Sequence, residues 1–319
     1  MTTREEVTVA GVDIGGTKIA IGLVAGDGSV LARTDTPIHV ERGPDEATAR
    51  IVSILRRQVE TTGRTVAGIG IGCTGPVDPI SGVLGDVKTL QGWQGWNPVE
   101  QLSGAMGVSA AVENDADAAA LAEAHWGGRV GRSGNPSRNQ IFVTVGTGIG
   151  GGIIIGGKLY RGVNGSHPEV GHHILEPSGP MCTCGARGCW EALAAGPAIE
   201  EYFCKLTGGV RLDAKQIFER ARAGDDAARD TVQREARYLG LGLANLVSML
   251  IPEAIVLGGS VMQSADLLLD EMRALVEQNC RFVPHQLCNI SLSSMGANAG
   301  LIGAAEVWHQ RFNNAGEQP

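Results

Sequence analysis

Residues 7–24, VTVAGVDIGGTKIAIGLV, and residues 141–155, IFVTVGTGIGGGIII, decide the fold of this chain. Each is an apolar strand pattern broken by glycines and resumed as a second strand, so the chain doubles back through a glycine hairpin. In the first stretch, 7–12 and 19–24 read as strands, and a turn at Gly26-Asp27-Gly28 leads into a third short strand through Leu31. That is a β-meander. Helical periodicity follows at 44–60, a small-residue strand at 66–72, a strand at 108–112 and an alanine-rich helix at 115–126. A polar, glycine-containing interval at 127–139 precedes strand 141–145, a second glycine turn and strand 153–155. Two halves that begin alike predict a duplicated α/β architecture. Helices at 225–250, 265–279 and 301–312 and strands at 254–257 and 290–292 complete the second half, before a polar tail at 313–319.

Composition bounds the function. At 319 residues the chain exceeds the usual single-core size, so two domains are expected. Apolar residues make up 43% and the mean hydropathy is +0.03, as in a soluble globular protein, and no apolar run is long enough to cross a bilayer. The start, MTTREEVTVAGVDIGG, enters a strand almost at once and lacks a signal-peptide layout, which predicts a cytoplasmic protein without membrane partners. A net charge of −8 and a pI near 5.4 argue against a nucleic-acid surface, although backbone amides still bind phosphate in an acidic protein. Cys73, Cys204, Cys280 and Cys288 are scattered and imply no disulfide framework.

Asp13-Ile14-Gly15-Gly16-Thr17-Lys18 places small residues and a hydroxyl where amides can turn toward an anion, with Asp13 able to hold Mg²⁺; a Gly-Gly hairpin also turns a chain without any ligand. The second loop, Gly146-Thr147-Gly148-Ile149-Gly150-Gly151-Gly152, has five glycines in seven positions, more than a turn requires. Neither is a Walker A loop, since no Gly-Lys-Ser/Thr opens a helix, and neither fits a dinucleotide fingerprint. Two facing hairpins imply a nucleotide clamped between the halves. Gly258 and Gly259, ending the 254–257 strand, either lie beside an adenine or merely turn the chain.

Cys182-Thr183-Cys184-Gly185-Ala186-Arg187-Gly188-Cys189 gathers three thiols within eight residues, ten positions after His172. That is ligand spacing for a Cys₃His structural zinc, a closed shell that braces neighbouring groups and activates no water. Glu169 and His172 fall three residues apart on a helical turn begun by Pro168; with Glu191 they offer acceptors and a donor to a pyranose. Glu113-Asn114-Asp115-Ala116-Asp117 ends a strand and opens a helix. Capping accounts for Asn114 or Asp115 locally, but phosphoryl transfer to an alcohol needs a carboxylate base, and Asp115 is the candidate. Trp93 and Trp96, after the strand end at Gly72 to Asp78, either cover a sugar face or pack internally. His167 carries no assignment, and His173 reads as structural.

Together these motifs resemble the ROK family (repressors, open reading frames and sugar kinases) of the actin-like ATPase and hexokinase superfamily. The likeness runs from Asp13-Ile14-Gly15-Gly16-Thr17-Lys18 through Asn114-Asp115, the 146–152 glycines and Glu169-Val170-Gly171-His172 to the cysteine cluster. It implies two ribonuclease-H-like domains around an interdomain cleft: residues 1–126 completed by helix 301–312, and residues 127–300 with the zinc motif. It also implies ATP as donor, Mg²⁺, a hexose or N-acetylhexosamine acceptor with O6 of glucose as the default, and a homodimer or homotetramer. By position, Asp115 is similar to the family's base, Asn114, Glu169, His172 and Glu191 to its sugar ligands, and His172, Cys182, Cys184 and Cys189 to its zinc ligands. Asp117 stands where the family commonly has Asn, and Cys73-Thr74-Gly75-Pro76 replaces a Pro-Gly-Pro in the sugar-facing loop, departures that point to an unusual acceptor; Gly75 is counted with the substrate-binding residues. The segment from Leu90 to Trp96 also differs from the shorter family loop. A sugar-responsive regulator of this family would carry a helix-turn-helix ahead of the first hairpin, and the twelve residues before Asp13 are expected to be too few.

Overall fold

The computed structural model describes residues 7–127 and 137–312. The leading residues 1–6, most of the expected boundary at 127–139 and the tail at 313–319 lie outside the described residues. Strands β1 (Thr8–Ile14), β2 (Lys18–Ala25) and β3 (Val30–Pro37) form the antiparallel meander. The chain then crosses through α1 (Pro44–Thr62) to β4 (Gly68–Cys73), parallel to β1, and through α2 (Pro98–Met106) to β5 (Ser109–Asn114), parallel to β4. Helix α3 (Asp115–Trp126) follows without a break.

The second half repeats the plan. Strands β6 (Gln140–Val145), β7 (Ile149–Ile155) and the short β8 (Lys158–Leu159) are antiparallel. Helices α4 (Trp190–Ala194), α5 (Gly196–Leu206), α6 (Ala214–Arg222) and α7 (Asp226–Leu250) lead to β9 (Ala254–Gly258), parallel to β6. Helix α8 (Leu269–Asn279) then leads to β10 (Asn289–Leu292), parallel to β9, and α9 (Ala299–Phe312) follows. The sheet orders are β3-β2-β1-β4-β5 and β10-β9-β6-β7-β8, the same topology twice. Duplication is therefore real at the level of strand order and sense. Among the described residues no helix is long and apolar enough to cross a membrane.

Each sheet is covered on both faces, which is why its central strands are apolar on both sides. One face of the first sheet packs Val12, Ile14, Ile21, Ile69 and Ile71 against Ile51 and Leu55 of α1; each such side chain contributes about 1.5–3 kcal/mol. The outer face of the second sheet packs against Phe203, Phe218, Leu239 and Leu243 of the α5–α7 layer. Between the sheets lie α3 and α9. Helix α9 sets Leu301, Ala305 and Trp308 against the first sheet, whereas α3, which leaves that sheet, covers β6 and β7 of the other.

Close approach in this middle layer depends on glycine. A methyl at Gly70 of β4 would overlap the Ala304 carbonyl of α9, and one at Gly303 would overlap the Ala118 carbonyl of α3. One at Gly152 would lie 2.6 Å from Ala120 Cβ and 2.9 Å from Asp117 Cα. This corrects the reading of 146–152 as one loop: Gly150, Gly151 and Gly152 lie in β7, paired with Thr144, Val143 and Phe142, and Gly151 and Gly152 are small because the 170 region and α3 press on that strand. The turn itself is Gly146-Thr147-Gly148, closed by Gly146 N–H donating to Gly148 O at 2.9 Å. The expected helix at 265–279 is likewise shorter, a 3₁₀ stretch at Val261–Leu267 preceding α8.

Candidate active site

Asp115 opens α3 because Asn114 caps it: Asn114 Oδ1 accepts from Ala116 N–H at 2.9 Å, and Asp115 Oδ1 accepts from the same amide at 2.8 Å. Burial raises the Asp115 pKa, and the Ala116 amide opposes the rise. Asp13, near the end of β1, is pushed up to about 7 by burial and then by the charge of Asp115, with Lys18 and Arg33 working the other way. The two acids meet across Gly72 of β4, where a methyl would sit 3.7 Å from Asp13 Oδ1 and 3.8 Å from Asp115 Cα. One at Gly300 would overlap the Asp13 carboxylate, so that acid also abuts the first turn of α9. Two acids held this close, both with raised pKa, mark a place suited to a cation or to proton transfer.

The first turn of α3 lies between the two hairpins. Asp115 is beside Gly72 and hence β1, and Ala116 Cβ is 3.5 Å from a methyl position at Gly150 of β7. The Gly15-Gly16-Thr17-Lys18 turn is closed by Gly15 N–H donating to Lys18 O at 3.0 Å. Gly16 is small because Thr89 would stand 2.7 Å from any Cβ there. Thr17, Lys18 and Thr147 are exposed, and Lys18 Nζ reaches Asp35 at 3.3 Å. Gly259, at φ 93°, lets the chain after β9 pass against the Val145 backbone, and Ser260 Oγ comes within 3.4 Å of a Cβ position at Gly146. Gly258 and Gly259 thus adjoin the Gly146-Thr147-Gly148 turn.

A cavity of about 610 Å³ opens beside Asn114, lined by the 76–85 loop, by Asn164 to His167 and by Glu169. Gly75 precedes the lining loop, a methyl there lying 2.9 Å from Asn114 Nδ2. Glu169 is exposed and stands 3.9 Å from His172 Nε2; the turn is a 3₁₀ segment at Val170–His172 with Glu169 as its cap, so it begins two residues after Pro168. Glu191, in the first turn of α4, accepts from Ile149 N–H through Oε2 at 3.0 Å, and Gly148 leaves room for that carboxylate, 2.5 Å from where a Cβ would be. The tryptophans are elsewhere. Trp93 and Trp96 are buried edge to face at 5.1 Å in the first core, with Nε1 of each donating to Val40 O and Gln101 Oε1, so they pack internally and cover no sugar.

His172 Nδ1 is 3.5 Å from Cys182 Sγ, Cys184 Sγ is 3.6 Å from Cys189 Sγ, and the four ligand atoms all lie within 4.8 Å of one another. Ligands on a tetrahedron with bonds of about 2.1–2.3 Å stand roughly 3.5–3.8 Å apart, so this donor set fits a zinc ion. Such an ion would take Nδ1 of His172 and leave Nε2 beside Glu169. His173 turns the other way, Nδ1 meeting Val170 O at 2.6 Å and its ring lying on Trp190.

The chain matches the ROK family over residues 9–311. It belongs to that family. The glucokinase of Streptomyces coelicolor is 36% identical over 322 residues, 93% of this chain and 96% of that protein. The N-acetylmannosamine kinase of Escherichia fergusonii is 33% identical over 303 residues, 94% of this chain and 97% of its own length. Among solved structures, a ROK hexokinase from Thermus thermophilus superposes with a TM-score of 0.84 at 34% identity, over 97% of this chain and all of that one (100%). A ROK glucokinase from Streptomyces griseus in complex with glucose and AMPPNP superposes with a TM-score of 0.75 at 33% identity, over 94% and 98% of the two chains. This ROK chain accordingly has the α/β, actin-like ATPase fold.

Beside the cavity the ROK chain carries a charged network that its sequence motifs did not reveal. Asp117, fully buried in the first turn of α3, takes Arg161 Nη1 at 2.9 Å and His167 Nδ1 at 2.6 Å, and Arg161 also pairs with Glu113. Burial lifts the Glu113 pKa to about 7 despite Arg161. These partners are 44 to 50 residues apart in sequence, and no spacing rule joins them. A second such contact runs from Lys88 Nζ to Thr183 O at 3.3 Å, linking the loop after β4 to the cysteine loop.

Proposed function

We infer that this protein is an ATP-dependent sugar kinase that transfers a phosphoryl group to a hexose hydroxyl, O6 of glucose being the leading acceptor. The observation that carries this reading is the Asp13–Asp115 pair, set between two glycine hairpins and a sugar-sized cavity lined by Asn114 and Glu169. Asp115, half-buried at the head of α3, accepts the proton of the attacking hydroxyl as that oxygen bonds to the γ-phosphorus of ATP and the bond from that phosphorus to the β-phosphate oxygen breaks, releasing ADP. Gly75, Asn114, Glu169, His172 and Glu191 orient the ring, and the amides of Gly15, Gly16, Thr17 and Lys18 with those of Gly146, Thr147 and Gly148 hold the phosphates. Gly258 and Gly259 border the base, and Gly150, the second residue of β7 after that turn, belongs with the phosphate-facing set.

Asp13 would hold Mg²⁺, which neutralises charge on the phosphates. Zinc would be held by His172, Cys182, Cys184 and Cys189, where a closed shell fixes His172 relative to Glu169. Residues 1–126 with helix 301–312, and residues 127–300, are the units that close on the sugar and exclude water. The enzyme acts in the cytoplasm as a homodimer or homotetramer.

The glucokinases of Streptomyces favour glucose, and the Escherichia fergusonii relative supports N-acetylmannosamine as a second reading. Release of ADP from ATP and Mg²⁺, followed across glucose, mannose, fructose, allose, N-acetylglucosamine and N-acetylmannosamine, decides between them. The highest kcat/KM is expected for glucose. Preference for N-acetylmannosamine moves the assignment to the second reading, and ADP release with none of them contradicts the kinase.

A further inference from the structure

His167 takes no part in the scheme above, yet it borders the same cavity as Asn114 and Glu169. Its ring is anchored from behind, with Nδ1 2.6 Å from an Asp117 carboxylate that is fully buried. Arg161 meets the same carboxylate at 2.9 Å while also pairing with Glu113, so Asp117 is held by two side chains and only His167 of the two lines the cavity. What the Asp117 contact does is fix the ring: with Nδ1 engaged, Nε2 is the nitrogen left for the cavity, and the side chain retains 16% exposure. Of the cavity's other polar side chains, Asp78 and Glu169 only accept, Ser81, Ser166, Asn114 and Asn164 both donate and accept, and no Lys or Arg occurs among its described lining residues. A sugar oxygen both donates and accepts; the carboxylates satisfy its hydrogens, and for its lone pairs the described lining offers neutral hydroxyl and amide donors, with His167 the only side chain there able to donate as a cation.

We propose that His167 is a substrate-binding residue of this kinase, its Nε2–H donating to one oxygen of the bound sugar while Asp117 holds the ring through Nδ1. This rests on the sugar-kinase reading. Protonation supports it: burial works against the imidazolium, but the hydrogen bond and charge of Asp117, with Glu169 adding, outweigh burial and the opposing Arg161, so the His167 pKa is raised. An imidazolium has donors on both nitrogens.

The test compares wild type, His167→Ala and His167→Gln on the best sugar and on each of its monodeoxy analogues, reading kcat and KM separately. His167→Ala is expected to raise KM roughly 10- to 100-fold with little change in kcat, as for a lost charge-assisted bond made equally in ground and transition states. One deoxy sugar should cost wild type a similar factor, and that penalty should vanish in His167→Ala. His167→Gln, which keeps a donor, should recover part of the loss and serves if the alanine variant does not fold. If every deoxy penalty is unchanged in the variants, His167 acts only on the fold and the proposal is overturned. Absence of any sugar turnover by wild type overturns the kinase reading and the proposal with it, so the two failures are distinguishable.

Discussion

At Glu235 a carboxyl group lies fully buried in α7 with neither oxygen hydrogen-bonded. Its neighbour Arg234 is occupied elsewhere, stacked on Tyr202 and Tyr238 and donating to Leu193 O. Burial therefore holds the Glu235 pKa well above its ordinary 4.5, against a weaker pull from Arg234. The folded state keeps a proton that the unfolded chain releases, so this residue lowers stability progressively as pH rises above about 4.5. Glu235→Met should raise Tm, with a larger gain at pH 8 than at pH 5; equal gains at both would contradict the assignment. The zinc shell makes a prediction of the opposite sign. Chelation or Cys184→Ser should lower Tm and weaken sugar binding together, because the metal braces His172 beside Glu169; unchanged binding by calorimetry would remove that link. The cysteine cluster was legible because metal chemistry is local in sequence, whereas the Asp117–His167 contact spans 50 residues and had no signal.

Elements were legible where periodicity was long. Strands β1 and β2 and helices α1, α3, α7 and α9 read close to their observed bounds, since their apolar spacing is continuous, whereas β3 runs on past Leu31 to Pro37 through the polar stretch Arg33 to Thr36, which carries no apolar signal. Helices α2, α4, α5 and α6 were missed. Two of them carried start signals: Asn97 before Pro98 caps α2 by accepting from Glu100 N–H at 3.0 Å, and Asp213 with Gln216 forms a capping box at α6. Gly151 and Gly152 are ambiguous in a different way, since a residue kept small for packing looks the same in sequence as one kept small for a turn. Gly152→Ala tests the packing reading. Its new methyl meets the Ala120 Cβ and the α3 backbone, so the variant should lose about 1–3 kcal/mol in denaturant unfolding and lose turnover as α3 shifts Asp115. Wild-type stability and activity would mean that β7 does not determine the position of α3.

Over the whole molecule, two sheets of one topology exchange helices: α3 leaves the first sheet to cover the second, and α9 returns from the second to cover the first. The paired acids lie at this crossing, Asp115 at the head of α3 and Asp13 against the head of α9. A relative rotation of the halves thus changes the site directly, and sugar binding is expected to reduce the radius of gyration measured by small-angle scattering; an unchanged curve at saturation would contradict closure. The duplication was readable from its two hairpins, but the exchange was not, because it depends on which face of a sheet a helix covers. The most direct measurement is Asp115→Asn, with sugar affinity and ADP release determined on the same preparation. Sugar affinity should stay within about threefold of wild type while turnover falls about 10²–10⁴-fold. Turnover close to wild type at saturating sugar and ATP would contradict the assignment of Asp115 as the base.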